Sequence, residues 1–179
     1  MNQYIYIYKL VKKLTKKLKR KPIIWLPFDT EQSEFAYFCR KHNFKYICSH
    51  KWDGKDFFKW EPKVWDIALS NPPFSRKLEV FKRLNSFNKP WAMIMNIMAL
   101  NYQCIGSYFA DNKCQLLIVD KRVSFNGRPS SFNSSFVCSD GFLPRDLIFV
   151  HIKHNNVRNN YISSRMCKDN RRKNISYVK

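Results

Sequence analysis

Residues 65–74 carry the sequence WDIALSNPPF, a hydrophobic run that leads directly into two prolines. The apolar residues 65–70 predict a buried β-strand, and the prolines predict its end, because proline cannot donate a hydrogen bond to a central strand ladder. Apolar side chains then recur at helical spacing between residues 78 and 84. The segment therefore predicts a strand, a rigid loop and a helix in succession, with Asn71 where the strand ends.

The alternation of strand and helix extends on both sides of this segment. Further strands are predicted at residues 23–26, 46–48, 91–98, 115–119 and 146–152. Helices are predicted at residues 31–42, where Thr30 provides the N-cap, and at residues 102–110. The polar stretch 124–135 is predicted to be a loop. Such alternation predicts an α/β, Rossmann-like fold, in which a mostly parallel sheet carries helices on both faces.

Charge and hydropathy divide the chain into three parts. Residues 1–21 predict a basic amphipathic helix, with leucines on one face and lysines opposite. Residues 22–152 form the predicted α/β domain, and residues 153–179 form a basic, Asn-rich tail. The helix either packs on the domain with a solvated basic face or contacts DNA or a membrane surface, and the sequence leaves these alternatives open.

The formal net charge is +20, from 33 Lys+Arg against 13 Asp+Glu. Such an excess repels itself unless a polyanion lies nearby, so nucleic acid is the first expected partner. An anionic membrane surface or an acidic protein comes second. Drift towards lysine and asparagine in an AT-rich genome is the alternative that needs no function. With 179 residues, the chain is expected to have a real hydrophobic core.

Six cysteines occur without a Cys-x-x-Cys pair, so neither a disulfide framework nor a zinc ribbon is expected, and no metal is predicted. Several of them lie in apolar runs, as reduced core cysteines do. No apolar run reaches membrane-spanning length. The chain is therefore predicted to be cytoplasmic, without stable insertion in a membrane.

Asn71-Pro72-Pro73-Phe74 resembles the catalytic motif of amino methyltransferases, which include the enzymes that methylate the N6 amine of adenine. That amine is a poor nucleophile because its lone pair is delocalised into the ring. The Asn71 amide oxygen and the Pro72 carbonyl would each accept one of its N–H groups, with Pro73 helping to fix the backbone. Phe74 would offer its ring to a base taken out of the stack. The resemblance implies S-adenosylmethionine as the cofactor.

The loop after the strand predicted at residues 23–26 resembles that of the EcoRI-type adenine methyltransferases and of small phage proteins related to them. The resemblance implies cofactor contacts, with Asp29 near the methionine part, Asp53 or Asp56 at the ribose or adenine, and Phe57 packed on the adenine ring. These residues are Pro27, Phe28, Asp29, Ser33, Asp53, Asp56 and Phe57. A helix cap at Asp29 and a turn at Asp53 are the structural alternatives. The loop departs from the family because it contains no glycine.

Basic residues outside the motif are candidates for nucleic-acid contact. They are Arg122, Arg128 and Arg145 around the loop at 124–135, and Lys12, Lys13 and Lys16 in the N-terminal helix. The sequence thus predicts an S-adenosylmethionine-dependent N6-adenine methyltransferase, with DNA favoured over RNA. The alternatives are an RNA methyltransferase, a plain nucleic-acid-binding protein, and a catalytically silent relative, such as a phage inhibitor of a host nucleoprotein complex.

Overall fold

The computed structural model describes residues 5–73, 75–120, 124–125, 128–129 and 134–151, with only the backbone of residues 5–6, 124–125 and 128–129. The helices are α1 (Ile5–Leu18), α2 (Glu34–Lys41), α3 (Lys77–Ser86) and α4 (Gln103–Asp111). The strands are β1 (Ile23–Leu26), β2 (Lys45–Cys48), β3 (Ile67–Ser70), β4 (Trp91–Asn96), β5 (Cys114–Val119), β6 (Ser124–Phe125), β7 (Arg128–Pro129), β8 (Ser134–Ser139) and β9 (Leu147–Val150).

Seven strands form one sheet in the order β2-β1-β3-β4-β8-β5-β9, and β6 and β7 form a separate antiparallel ribbon. The β2-β1-β3-β4 half is parallel throughout, and β9 is parallel to β5. Strand β8 runs antiparallel to both of its neighbours, β4 and β5. The predicted α/β fold with a mostly parallel sheet is confirmed.

Side chains cover the sheet on both faces, as expected for this class of fold. Along β1, Ile24 and Leu26 join one core cluster while Trp25 joins the other, which is the two-residue alternation of a strand buried on both sides. The first cluster takes residues from α1 and α2, including Phe35. The second takes residues from α3 and α4, including Phe81. No helix within the described residues has the length and hydrophobicity to cross a membrane.

Helix α1 is tied into this core. Leu10 and Val11 are buried in the first cluster. Beyond the helix, the Arg20 guanidinium donates two hydrogen bonds of 2.7 Å to the two carboxylate oxygens of Asp66. This arginine holds the pKa of Asp66 below its usual value, and the same carboxylate accepts the Ile23 N–H at 2.7 Å. The predicted amphipathic helix thus forms and packs on the sheet, while residues 153–179 lie outside the described part of the chain.

Two predicted element boundaries need correction. The prediction that Thr30 caps a helix from residue 31 is wrong, because residues 31–33 form a turn and α2 begins at Glu34. Its N-cap is Ser33, whose hydroxyl accepts a hydrogen bond from the Ala36 N–H at 3.2 Å. Strand β4 stops at Asn96, because the Asn96 side chain caps a short 3-10 helix, Ile97–Asn101.

The larger error concerns β8, which the sequence did not predict. The predicted loop at 124–135 overlaps its start, yet all six residues of β8 are buried. Serines and a cysteine occupy four of its six positions, so the strand lacks the apolar run that marks the others. Hydrogen bonds within the sheet accommodate its serines. The Ser139 hydroxyl, for example, accepts the backbone N–H of Trp91 at 3.1 Å. Strand β8 lies in the interior of the sheet because it pairs with β4 on one side and with β5 on the other.

The position of β8 can be tested with two phenylalanines in neighbouring parts of the sheet. Phe136 in β8 is fully buried, whereas Phe149 in the edge strand β9 is 73% exposed. We expect Phe136→Ala to lower the free energy of unfolding by about 3–5 kcal/mol, because it leaves a cavity in the core. The matched Phe149→Ala change should stay within about 0.5 kcal/mol of the parent chain. Urea denaturation followed by circular dichroism measures both, and equal effects would contradict an interior β8.

Candidate functional site

The carboxyl ends of β1, β2, β3 and β4 lie along one edge of the sheet, because these strands are parallel. From β1 the chain passes to β2 on one side, and then returns to place β3 on the other side of β1. The strand order therefore reverses between β1 and β3. Ligands of open α/β sheets bind at such a switch point, beyond the carboxyl ends of the strands. Asp29 follows β1 and Asn71 follows β3, the two strands between which the switch point of this sheet lies.

Asn71 comes directly after β3, and its side chain is exposed. It makes no hydrogen bond to any residue that the structure describes. Pro72 is buried and Pro73 is exposed, while Phe74 lies outside the described residues. The buried proline holds the backbone next to Asn71, since its ring fixes φ. The amide of Asn71 is therefore positioned at the sheet edge, without a hydrogen-bond partner among the residues that the structure describes.

A buried hydrogen-bond chain joins β1 to β3 beside Asn71. The Phe28 N–H donates to the Ser70 hydroxyl at 3.2 Å, and that hydroxyl donates to the Asp29 carboxylate. Asp29 is only 7% exposed. Burial raises the pKa of Asp29, and hydrogen bonds from Ser70 and Ser33 together with the nearby His50 oppose this shift. Three of the predicted cofactor residues are thus brought together, since Ser33 and Ser70 both hydrogen-bond to Asp29 and Ser70 also accepts the Phe28 N–H.

The other predicted cofactor residues have different surroundings. Pro27 is buried at the end of β1, and Asp53 is exposed at the end of a 3-10 helix, Lys51–Asp53. Asp56 is half-buried and accepts the Phe58 N–H at 3.0 Å. The Phe57 ring is 2% exposed and packs against the rings of Trp25 and Phe28, with centroid distances of 5.5 and 4.7 Å. Contact between Phe57 and an adenine ring would therefore require this aromatic cluster to open.

Trp52 is an aromatic residue at this edge that the sequence analysis missed. It follows β2 and is 78% exposed. Its backbone N–H donates to Nδ1 of His50 at 3.3 Å, and the two rings pack together with their centroids 4.2 Å apart. Beyond β4, Met98 and Tyr102 are each 59% exposed. Asn71 was recognisable from the sequence because it lies just beyond the end of a strand. Trp52 has a similar position, after the end of β2.

The basic residues predicted to contact nucleic acid do not form one cluster. Arg122 lies outside the described residues, and only the backbone of Arg128 is described. Arg145 is exposed in the turn before β9. The Lys12 ammonium lies 4.8 Å from the centroid of the Tyr8 ring, whereas Lys13 faces a groove at the other end of the sheet. Lys16 is exposed on α1.

The connection between β5 and β8 begins and ends at the carboxyl edge. Residue Val119 ends β5, and Ser134 begins β8 opposite Asn96, the last residue of β4. The ribbon of β6 and β7 belongs to this connection. The loop predicted to contact the target is thus anchored at the same edge as Asn71, two strands away from the switch point.

The cysteine thiols in the described residues are free, and those that are buried or half-buried offer little nucleophilic chemistry. Burial raises the pKa of both Cys39 and Cys48 to about 12, and that of Cys114 to about 11. Their thiolate forms are therefore scarce at neutral pH. Within the same residues, no group of three or more His, Cys, Asp and Glu side chains could hold a metal ion.

No family model, curated protein or solved structure matches this chain. The residues at the carboxyl edge are consequently the basis for a functional assignment. They combine an exposed amide at Asn71, a buried carboxylate at Asp29 and an exposed indole at Trp52. Such a set can bind a polar ligand that also carries an aromatic ring.

The buried carboxylate of Asp29 predicts a specific pH dependence of stability. Because burial raises its pKa in the folded chain, the folded state binds this proton more tightly than the unfolded state does. This contribution to the free energy of unfolding is greatest below the usual carboxyl range and declines as the pH rises through the raised pKa. Asp29→Asn removes the titration, so the stability of the variant relative to the parent should increase from pH 4 to pH 7. Urea denaturation across this range measures the difference, and a pH-independent difference would contradict the prediction.

Proposed function

We propose that this chain is an S-adenosylmethionine-dependent methyltransferase that acts on the N6 amine of adenine in DNA. The observation that carries the proposal is the position of Asn71. Its exposed amide has no hydrogen-bond partner among the described residues, follows a central parallel strand and lies at the switch point of the sheet. The motif that suggested this chemistry therefore occurs where α/β proteins bind their ligands.

The residues at the edge suit the activation of an exocyclic amine. The Asn71 amide oxygen accepts one N–H of the target, and the Pro72 carbonyl accepts the other. With both hydrogens held, the nitrogen lone pair is directed away from the ring and towards an electrophile. Pro72 is buried and its ring fixes φ, so the orientation of its carbonyl is held in place. Such acceptors stabilise the charge that develops on the amine during attack, without a side chain of shifted pKa.

The donor set at the switch point suits S-adenosylmethionine. The Asp29 carboxylate matches the cationic amino group of its methionine part, and the Trp52 indole offers an exposed face to its adenine. Trp52 would thus have the stacking role that the sequence analysis gave to Phe57. When bound, the cofactor supplies an electrophilic methyl group. Ser70 and Ser33 orient the Asp29 carboxylate through the hydrogen bonds described above.

Two features of the whole chain support nucleic acid as the substrate. The net charge of +20 favours a polyanion, and the connection between β5 and β8 reaches the edge that carries Asn71. DNA is the proposed substrate, and RNA is the alternative that the same charge would serve.

Replacement of Asn71 tests the proposal. We expect Asn71→Ala to lower the rate of methyl transfer to an adenine-containing DNA duplex by about 10²–10³-fold, because one acceptor of the amine is lost. DNA affinity should change less than twofold. Transfer of a radiolabelled methyl group measures the rate, and fluorescence anisotropy measures the affinity.

Asn101→Ala is the matched control, since Asn101 is also exposed beyond a parallel strand but lies at the end of the 3-10 helix after β4. It should retain the parent rate. A parent chain that transfers no methyl group to duplex DNA, single-stranded DNA or RNA would exclude the enzyme. Transfer to RNA alone would replace DNA as the substrate.

Three observations favour a second candidate, a catalytically silent binding protein that retains the fold. The Asp29 carboxylate is buried and already accepts the Ser70 hydroxyl, and the Phe57 ring is enclosed by other aromatic rings. The first loop also has no glycine that would let a cofactor approach the backbone closely. A protein with these features could bind a host nucleoprotein complex through its basic surface without methylating anything.

Calorimetry with the cofactor separates the two candidates. An enzyme should bind S-adenosylmethionine and its demethylated product, and Trp52→Ala should weaken that binding by about tenfold, because base stacking on an aromatic contributes about 1–3 kcal/mol. Trp60→Ala is unsuitable as a control because it would disturb the core. Tyr37→Ala is the matched control, since Tyr37 is 54% exposed on α2. No detectable heat at millimolar cofactor would favour the silent protein.

A further inference from the structure

A groove of about 1100 Å³ lies at the end of the sheet opposite to Asn71. It is bounded by the second half of α1, by the residues after α3 and α4, and by the turn after β8. Trp91, the first residue of β4, forms part of its wall, and Ser139, the last residue of the antiparallel β8, lies beside it. Both residues mark the amino edge of the parallel strands. The groove is therefore separate from the candidate active site.

Positive charge dominates the lining of this groove. It contains four lysines, Lys13, Lys17, Lys89 and Lys113, against two aspartates, Asp111 and Asp140. Among the described residues, no carboxylate forms an ion pair with Lys13, Lys17 or Lys113. The Lys89 ammonium lies 4.2 Å from the centroid of the Trp65 ring, which holds it in place. Three of the four ammonium groups are thus available to an anion.

The lysines converge because three separate elements meet here. Lys13 and Lys17 are one helical turn apart on α1, and like charges at this spacing destabilise a helix. The dipole of α1 favours Lys17 in the last turn, but it does not account for Lys89 or Lys113. Leu10 and Leu14 line the same groove and fix α1 against the domain. Packing of α1 therefore creates a basic surface that no single segment carries.

The groove suits an extended polyanion better than a compact ligand. Its volume of about 1100 Å³ lies near the upper limit of typical small-molecule sites, ~300–1,000 Å³, so the charge of its lining indicates the ligand. Its charges are lysine ammonium groups, which bind phosphates as point charges without the planar geometry that arginine imposes on a carboxylate. The exposed Asn88 amide adds a neutral donor to the lining. This combination matches the sugar–phosphate backbone, which is contacted without regard to sequence.

We propose that this groove binds the phosphodiester backbone of DNA, at a place separate from the edge that carries Asn71. The inference rests on the nucleic-acid substrate of the proposed function, but not on methyl transfer. Strands of four to six residues place the two edges about 13–20 Å apart, at about 3.3 Å per residue. Anchoring and chemistry are consequently separable, and the groove holds the duplex without reading its bases.

Two triple variants of equal charge test the groove. The first is Lys13→Gln, Lys17→Gln and Lys113→Gln, and the control is Lys59→Gln, Lys63→Gln and Lys82→Gln, three exposed lysines that do not line the groove. With a 20-base-pair duplex and no methyl donor, we expect the groove variant to bind at least tenfold more weakly than the control. The slope of log affinity against log salt should fall in magnitude by about 2–3 for the groove variant, because each lost phosphate contact removes about 0.9.

Equal losses in the two variants would overturn the inference, because binding would then depend on net charge alone. Acetylation of the unmodified chain provides a second measurement that needs no variant. Bound duplex should protect Lys13, Lys17 and Lys113 from the reagent more than it protects Lys59 and Lys63. Uniform protection would also overturn the inference.

The two proposals fail in different ways. If Asn71→Ala abolishes methyl transfer while the groove variant binds DNA like its control, the groove inference alone is wrong. If the parent chain transfers no methyl group while the groove variant loses DNA binding, the proposed enzyme alone is wrong.

Discussion

Parallel pairing of β1 with both β2 and β3 is the constraint on which the rest of the structure depends. Parallel neighbours cannot be joined by a tight turn, so each connection crosses a face of the sheet and brings a covering element with it. The same pairing places every carboxyl end of this half-sheet on one edge. It also creates the reversal of strand order between β1 and β3. The hydrogen-bond chain from Phe28 through Ser70 to Asp29 closes that junction and explains why a carboxylate is buried there.

The two edges of the sheet carry different chemistry. The carboxyl edge has a free amide and exposed aromatic side chains, with one buried carboxylate beneath them. The amino edge has a groove with four lysines. Charge of one sign on a folded chain is unfavourable unless a counter-charge is bound, and it accelerates the encounter with a polyanion. A protein that collects these charges away from its candidate active site can strengthen binding without filling that site.

Helix α1 links these observations. Its apolar face completes one of the two core clusters, while its lysines face solvent and the groove. Lys12 lies on the other side of the helix. Burial, together with the positive charges of Lys41 and Lys12, lowers the pKa of His42. The ion pair between Arg20 and Asp66 then fixes the chain as it enters β1. The helix is thus part of the core and also carries five lysines.

The sequence by itself determined the fold class, most of the strands, the amphipathic α1 and the position of Asn71 at a strand end. These features are encoded by neighbouring residues, through apolar runs, helical spacing and the stop that two prolines impose. Tertiary structure alone decided the interior position of β8, whose serines are accommodated only by ladders on both sides. It also decided the burial of Phe57, the exposure of Trp52 and the meeting of Asp29 with Ser70. Each of these depends on contacts between residues that are far apart in the chain. A local sequence pattern does not specify which distant residues come into contact.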